Sequence, residues 1–231
     1  MKVGSLFSGG KDSVFAVNWA LEQKHSVEVL ICIVSENKDS FMFHTPNIKL
    51  TSFQAEAAKL PIMYTKTLGV EEKELSDLKQ ALLEAKTDFG LEAITTGALA
   101  SSYQKKRIEK ICDELNLKCF SPLWKKNQTE YVKELIEKKF EVLISAVAAQ
   151  GLDESWLGRK LDEKALDELV ELNKKFDLNV AGEGGEYESF VLNAPFFKKR
   201  LKVVSAVKHW KGNAGFLEIK KIELVENGKK H

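Results

Sequence analysis

Short apolar runs alternate with amphipathic segments along the first half of the chain. The runs are typical of buried parallel strands, and they lie at 2–7, 27–34, 60–64, 91–95 and 117–120. The segments between them space apolar residues three or four apart, which predicts helices at 11–23, 48–59 and 71–89 and one ending near Leu115. Strands joined through helices form parallel pairs with right-handed crossovers, so we predict an α/β fold with a doubly wound, parallel five-stranded sheet.

The pattern changes after Pro122-Leu123-Trp124, where we place a domain boundary. Asp162 is suited to cap the last predicted helix of the second half. The elements predicted there are helices at 129–139 and 162–176, a strand at 140–149 and a hairpin with strands at 203–207 and 216–219. We therefore predict two domains, residues 1–124 and a smaller C-terminal α+β domain at 125–231.

Composition and charge exclude several classes of protein. The net charge of the 231-residue chain is +1, so no basic field indicates direct binding to nucleic acid. Every apolar run is much shorter than the roughly 20 residues that a membrane-spanning helix requires, and no signal peptide fits the start of the sequence. The three cysteines form no C-x-x-C pair, which argues against structural zinc. We expect a cytoplasmic protein with no membrane partner.

The stretch from Ser8 to Ser13 combines two glycines, a lysine and two hydroxyls between the first strand and the first helix. Gly9 and Gly10 permit backbone conformations that a side chain would forbid and allow a ligand to approach the main chain. The helix that follows directs N–H groups and positive potential at the same point, and Lys11 adds a charge. This arrangement suits a phosphate. The alternative is a glycine turn in which Asp12 or a serine only caps the helix.

Two further segments follow strands of the predicted sheet, at the edge where ligands bind in such folds. His44, after the second strand, could bind a phosphate or ribose or carry a proton, although a loop histidine can equally be a surface residue. After the fourth strand, Gly97, Ser101 and Tyr103 form a hydroxyl-rich turn suited to ATP or acceptor contacts. Arg107 could clamp a phosphate or carboxylate, or pair on the surface with a nearby acidic residue.

Three glutamates and three glycines crowd into residues 182–188, between apolar segments. The carboxylates of Glu183, Glu186 and Glu188 could hold Mg²⁺, bind an ammonium ion or act as a general base. A solvated acidic turn is the alternative, but it has little need for so many glycines beside the aromatic Tyr187. We therefore interpret this stretch as functional.

Several of these motifs together resemble the diphthine–ammonia ligase family. Ser-Gly-Gly-Lys-Asp-Ser at 8–13 looks like the PP-loop of the N-type ATP pyrophosphatases, whose fold is HUP-like, and it has neither the Walker A nor the Gly-x-Gly-x-x-Gly spacing. The glutamate–glycine stretch at 182–189 is far more particular to the family. The other similar stretches are His44 to Asn47, Gly97 to Arg107, Pro122 to Trp124 and Gly151 to Arg159. Without additional C-terminal domains, the chain looks like the short archaeal form.

The resemblance implies the last step of diphthamide synthesis. In that reaction ATP adenylates the carboxylate of diphthine on elongation factor 2, pyrophosphate leaves, and ammonia displaces AMP to form the amide. No glutaminase domain is visible, which favours free ammonium as the nitrogen source. The expected partners are elongation factor 2 and ammonium, with ATP and Mg²⁺ as cofactors, and a homo-oligomer stays open.

The resemblance also assigns roles to residues. The predicted ATP-binding residues are Ser8, Gly9, Gly10, Lys11, Asp12, Ser13, Ser35, His44 and Gly97. The predicted substrate-binding residues are Ser101, Tyr103, Arg107, Trp156 and Tyr187, the last two through cation–π attraction to the quaternary ammonium of diphthine. Lys11, Glu183, Glu186 and Glu188 are the predicted catalytic residues, and Asp12 is the candidate ligand for Mg²⁺ or a helix cap.

Three other interpretations share the phosphate loop. A PP-loop enzyme could adenylate a tRNA base, but we see neither the catalytic cysteine pair nor the RNA-binding domain that this predicts. A synthetase could adenylate the carboxylate of a small metabolite. A non-catalytic regulator could bind adenine nucleotides, which would leave the glutamates of 183–188 without a role.

Overall fold

The chain consists of two compact units in a computed structural model that describes residues 1–35, 47–98 and 102–227. The first unit comprises Met1–Ser8, Asp12–Ile48 and Lys59–Trp124. The second comprises Gly9–Lys11, Lys49–Ala58 and Lys125–His231. Two short segments from the first half of the sequence therefore belong to the second unit, which no pattern in the sequence predicts.

The first unit contains a parallel five-stranded sheet, which confirms the predicted fold class. Its strands are β1 (Lys2–Leu6), β2 (Ser26–Ser35), β3 (Ile62–Thr67), β4 (Ala93–Thr95) and β5 (Lys118–Phe120). The strand order is β3-β2-β1-β4-β5, and every neighbouring pair is parallel. The chain therefore builds the sheet outward from β1 in one direction and then, from β4, in the other. In such sheets ligands bind at the carboxyl ends of the strands beside this reversal.

Three helices accompany this sheet: α1 (Lys11–Glu22), α3 (Glu71–Phe89) and α4 (Ser102–Glu114). Leu78 and Leu82 of α3 are fully buried against Ile31 and Ile94 of the sheet, so the predicted apolar stripe faces the core. The helix α3 ends at Gly90, whose φ of 63° is the left-handed conformation that favours glycine, and its N–H donates to the carbonyl of Lys86.

The second unit contains an antiparallel four-stranded sheet with the order β7-β6-β9-β8. Its strands are β6 (Glu141–Val147), β7 (Tyr187–Asn193), β8 (Lys199–Lys211) and β9 (Ala214–Glu226), and its helices are α2 (Thr51–Ala58), α5 (Gln128–Glu137) and α6 (Glu163–Phe176). The predicted closing hairpin is confirmed as β8 and β9. Asp162 caps α6 as predicted, because its Oδ1 accepts the N–H of Ala165 at 2.9 Å.

Strand β7 was not predicted from the sequence. The stretch at 182–189 was interpreted as functional, but the strand begins within it, at Tyr187, and pairs with β6. Glutamates and glycines directly before the strand obscure its pattern, although Tyr187, Phe190 and Val191 are buried. The last three residues of the motif at 182–189 therefore belong to a strand. No helix in the described parts of the chain is long and apolar enough to cross a membrane.

Candidate active site

The phosphate loop starts at the end of β1 and leads directly into α1. In the first unit, the backbone N–H of Ser8 donates to Ser13 Oγ at 3.2 Å, and the two hydroxyl oxygens lie 3.3 Å apart. The helix begins at Lys11, so the positive end of its dipole lies beside these hydroxyls. The result is a cluster of donors at the positive end of a helix, as a phosphate requires.

Gly9 is a glycine for two reasons. Its φ of +79° lies in the left-handed region, where other residues are strained. A Cβ at this position would overlap Gln54 Oε1 and lie 2.9 Å from Thr51 Cγ2, and both of those residues are fully buried. A side chain on residue 9 would therefore displace the buried side chains of Gln54 and Thr51.

Lys11 is bound to strand β7 through both its backbone and its side chain. Its N–H donates to Ser189 Oγ at 3.1 Å, and its Nζ lies 5.2 Å from the centre of the Tyr187 ring, within range of a cation–π attraction. The side chain is only 3% exposed. Gly9–Lys11, the part of the phosphate-loop motif that belongs to the second unit, therefore contacts the glutamate–glycine motif within that unit.

Gly97 packs against the start of α1 in the first unit. A Cβ on Gly97 would come within 2.8 Å of the backbone of Asp12 and Ser13. Because backbone atoms cannot move aside as the end of a side chain can, only glycine fits. Gly97 thus lies beside the phosphate loop, and close packing against the start of α1 is the reason that this position is a glycine.

The three glutamates differ in their surroundings. The carboxylate of Glu186 accepts the backbone N–H of Gly184 at 2.7 Å and that of Asn179 at 3.2 Å, so it closes the turn on itself. Glu183 is half-buried and Glu188 is exposed. The hydrogen bonds of Glu186 are those of a residue that shapes the loop.

The two predicted aromatic contacts lie largely inside the protein. Tyr187 is 2% exposed, and its hydroxyl donates to the carbonyl of Val180 at 2.8 Å. Trp156 is buried as well, and the guanidinium of Arg159 stacks at 4.3 Å from the centre of its ring. Arg159 also forms a bidentate pair with Glu168, which holds the pKa of that carboxyl below its usual range. Both aromatics thus already carry a cation on one face.

The remaining predicted residues are placed as follows. Ser35 is half-buried at the carboxyl end of β2, and Arg107 is half-buried on α4. Glu109, one of the acidic residues near Arg107 on α4, pairs with Lys105. His44 and Ser101 lie outside the described residues, as does the side chain of Tyr103, although α4 includes its backbone.

The chemistry of the site fits a triphosphate better than a metal held by the protein alone. Among the described residues, no three His, Cys, Asp or Glu side chains gather closely enough to hold a metal ion. Asp12 is the carboxylate in the first turn of α1. Mg²⁺ typically binds through one or two carboxylates together with the phosphates of a substrate, and Asp12 suits that arrangement.

Sequence reasoning missed Gln54 and Ser189. Gln54 is a fully buried polar residue in α2, where Ala55 and Ala58 are also buried. In the sequence it stands out only as a polar residue close to these small apolar ones. Ser189 belongs to the motif at 182–189, but its contact is with the backbone of Lys11. Both residues act on the loop across a large separation in sequence.

Comparison with known proteins agrees with this architecture and its motifs. Residues 1–119 match the diphthamide synthase N-terminal domain, and residues 127–225 match the diphthamide synthase C-terminal domain. The chain therefore belongs to the diphthamide synthase family.

Two relatives show how the chain compares in length. A diphthine–ammonia ligase of Homo sapiens is 36% identical over 228 residues, which cover 89% of this chain and 84% of that protein. The diphthine–ammonia ligase of Schizosaccharomyces pombe is also 36% identical and matches 95% of this chain, but the chain spans only 39% of its length. Among solved structures, a predicted subunit of tRNA methyltransferase from Methanocaldococcus jannaschii has a TM-score of 0.46 and 16% identity, covering 84% of this chain and 97% of that one.

Proposed function

We propose that this protein amidates diphthine on elongation factor 2, consuming ATP and ammonium and releasing AMP and pyrophosphate. Its family and the names of its relatives support a role as a ligase in diphthamide biosynthesis. One structural observation carries the proposal: strand β7, which begins directly after Glu186 and includes Glu188, bonds to the phosphate loop. The N–H of Val191 donates to Gly9 O at 3.0 Å, and the N–H of Lys11 donates to Ser189 Oγ.

The first half of the reaction forms an acyl-adenylate. An oxygen of the diphthine carboxylate attacks the α-phosphorus of ATP, and the bond to the bridging oxygen of pyrophosphate breaks. Ser8, Ser13, the backbone of Gly9 and Gly10, and the first turn of α1 would hold the departing phosphates and stabilise the charge that develops there. Lys11 adds a positive charge, and Mg²⁺ beside Asp12 would screen the triphosphate. Ser35 and Gly97 belong to the same proposed ATP site.

The second half transfers the acyl group to nitrogen. Ammonia attacks the acyl carbon, AMP leaves, and the ammonium that supplies the ammonia must first lose a proton. We assign that proton transfer and the binding of ammonium to Glu183 and Glu188, since Glu186 closes its own loop. Tyr187, Trp156 and Arg107 remain the proposed contacts for the acceptor, and the cytoplasm is the proposed location because elongation factor 2 acts there.

The direct test supplies ATP, [¹⁵N]ammonium and elongation factor 2 that carries diphthine. We expect AMP, pyrophosphate and a ¹⁵N-labelled amide in equal amounts, measured by chromatography and mass spectrometry. Elongation factor 2 with an unmodified histidine is the control acceptor and should give none of these products. The variant Lys11→Met should form much less AMP in this assay. Its matched control is Lys175→Met, which removes an exposed lysine of α6.

Two results would contradict the proposal. AMP formation that depends on tRNA or on a small carboxylic acid, and not on diphthine, would favour another acceptor. Binding of ATP without AMP formation under any of these conditions would favour a regulator.

A further inference from the structure

A glutamine of helix α2 holds the carbonyl group of Gly9 in the phosphate loop. Gln54 is fully buried, and its Nε2 donates to Gly9 O at 2.9 Å and to Val191 O at 2.8 Å. The N–H of Val191 donates to the same Gly9 oxygen at 3.0 Å. The Gly9 carbonyl thus accepts two hydrogen bonds, which is its full capacity.

Chemistry determines which way the Gln54 amide faces. Both of its neighbours are carbonyl oxygens, which can only accept, so the amide nitrogen and not the oxygen must face them. In this orientation Oε1 is buried and has no hydrogen-bond partner among the described residues. A buried oxygen without a donor is destabilising. The protein thus keeps the two bonds to the loop and the strand even though they leave this oxygen unsatisfied.

The bond to Gly9 also sets the direction of the next N–H group. The structure has no cis peptide bonds among its described residues, and in a trans peptide the carbonyl and the N–H point in opposite directions. Because the Gly9 carbonyl faces Gln54 and Val191, the N–H of Gly10 faces away from them. Gly9 is buried, whereas Gly10 is half-buried.

We propose that Gln54 is a positioning residue that orients the Gly9–Gly10 peptide toward the pyrophosphate portion of ATP. The inference rests on the proposed function, because it assumes that the loop binds a triphosphate. Gln54 does not touch the nucleotide itself; it acts through the carbonyl of Gly9. Loss of its amide leaves the Gly9 carbonyl with the hydrogen bond from the Val191 N–H but without the one from Gln54. The peptide is then held less firmly, and the loop loses more conformational freedom when it binds phosphates.

The test compares a ligand that has the pyrophosphate portion with one that lacks it. Calorimetry would measure the Kd of α,β-methylene-ATP and of AMP for the wild type and for Gln54→Met, which keeps the length of the side chain but removes the donors. We expect the Kd for the ATP analogue to rise about tenfold, which corresponds to the loss of roughly one to two hydrogen bonds. The Kd for AMP should change less than about twofold.

The control is Gln80→Met on α3, because Gln80 is exposed and its side chain bonds to Glu84 in its own helix; neither Kd should change. If Gln54→Met does not fold, as judged by circular dichroism, Gln54→His keeps one N–H donor and should show the same selective loss at smaller size. Unchanged binding of the analogue, or an equal loss for both ligands, would overturn the inference. A wild-type protein that binds neither ligand would instead contradict the proposed function.

Discussion

Gly9 in the phosphate loop and Gly185 in the glutamate loop both have a positive φ, of +79° and +85°, but their surroundings differ. A Cβ on Gly9 would overlap Gln54, whereas a Cβ on Gly185 would find no atom within 4 Å. The first loop is held from outside by α2 and β7. The second is exposed and is held by one of its own side chains, because Glu186 accepts two N–H groups from backbone close by in sequence.

This difference indicates how each loop responds to mutation. A loop held by distant elements transmits any change to them, so its substitutions should affect folding and ATP binding together. A loop closed by its own carboxylate should tolerate changes elsewhere in the turn and respond mainly when that carboxylate is altered. Four predictions test this contrast.

The largest effect on activity is expected for Lys11→Met. The substitution removes the charge that lies above the Tyr187 ring, and loss of one preorganised group that stabilises departing phosphates typically lowers turnover about 10²–10³-fold. Steady-state AMP formation measures it, with the wild type and Lys175→Met as references. Turnover within about threefold of the wild type would remove Lys11 from the catalytic residues.

Gly9→Ala should have the largest effect on stability. The positive φ costs about 1–2 kcal/mol for alanine, and displacing the buried Gln54 and Thr51 adds about 1–3 kcal/mol. Urea unfolding should therefore show a free energy of unfolding lower by about 3 kcal/mol, and ATP binding should weaken as well. A variant as stable as the wild type would show that α2 can move away from the loop without cost.

Glu186→Gln should destabilise the glutamate loop moderately. A glutamine keeps one oxygen but turns an NH₂ group toward one of the two N–H donors, which should cost about 1–2 kcal/mol. We expect thermal unfolding at lower temperature, with amidation reduced far less than in Glu183→Gln and Glu188→Gln. The reverse order, with full stability and lost amidation in Glu186→Gln, would make Glu186 catalytic.

The smallest effect is expected for Gly185→Ala, the partner of Gly9→Ala. Only the backbone strain of about 1 kcal/mol applies, because the new methyl group meets no other atom within 4 Å. Unfolding should shift slightly, and the Kd for ATP should stay unchanged. Equal losses in the two alanine variants would show that φ alone, and not the packing around Gly9, distinguishes these positions.

Sequence patterns predicted the first unit well because they reflect local physics. A buried parallel strand needs a continuous apolar run, and the helix at 71–89 needs an apolar stripe; both are visible without knowledge of any partner. Strand β7 was missed because its first residues belong to a motif rich in glycine and glutamate, which is unfavourable for strands taken by itself. Pairing with β6 overrides that preference.

The residues that hold the phosphate loop could not be predicted in the same way. Gln54 and Ser189 are separated from the loop by 45 and 178 positions, and hydrogen bonds of this kind leave no periodic pattern in a sequence. The grouping of residues 9–11 and 49–58 with the second unit has the same origin. The domain boundary and the roles of the individual site residues stay predictions.

By itself, the sequence determined the strand and helix order and the parallel sheet of the first unit, since each depends on neighbours within a few residues. It also determined the family, through the motifs at 8–13 and 182–189. Only the tertiary structure decided that these motifs meet at Gly9–Lys11 and that Gln54 orients the peptide between the two glycines. The physical reason is that the direction of a carbonyl group is set by the donors packed around it, and here those donors come from α2 and β7.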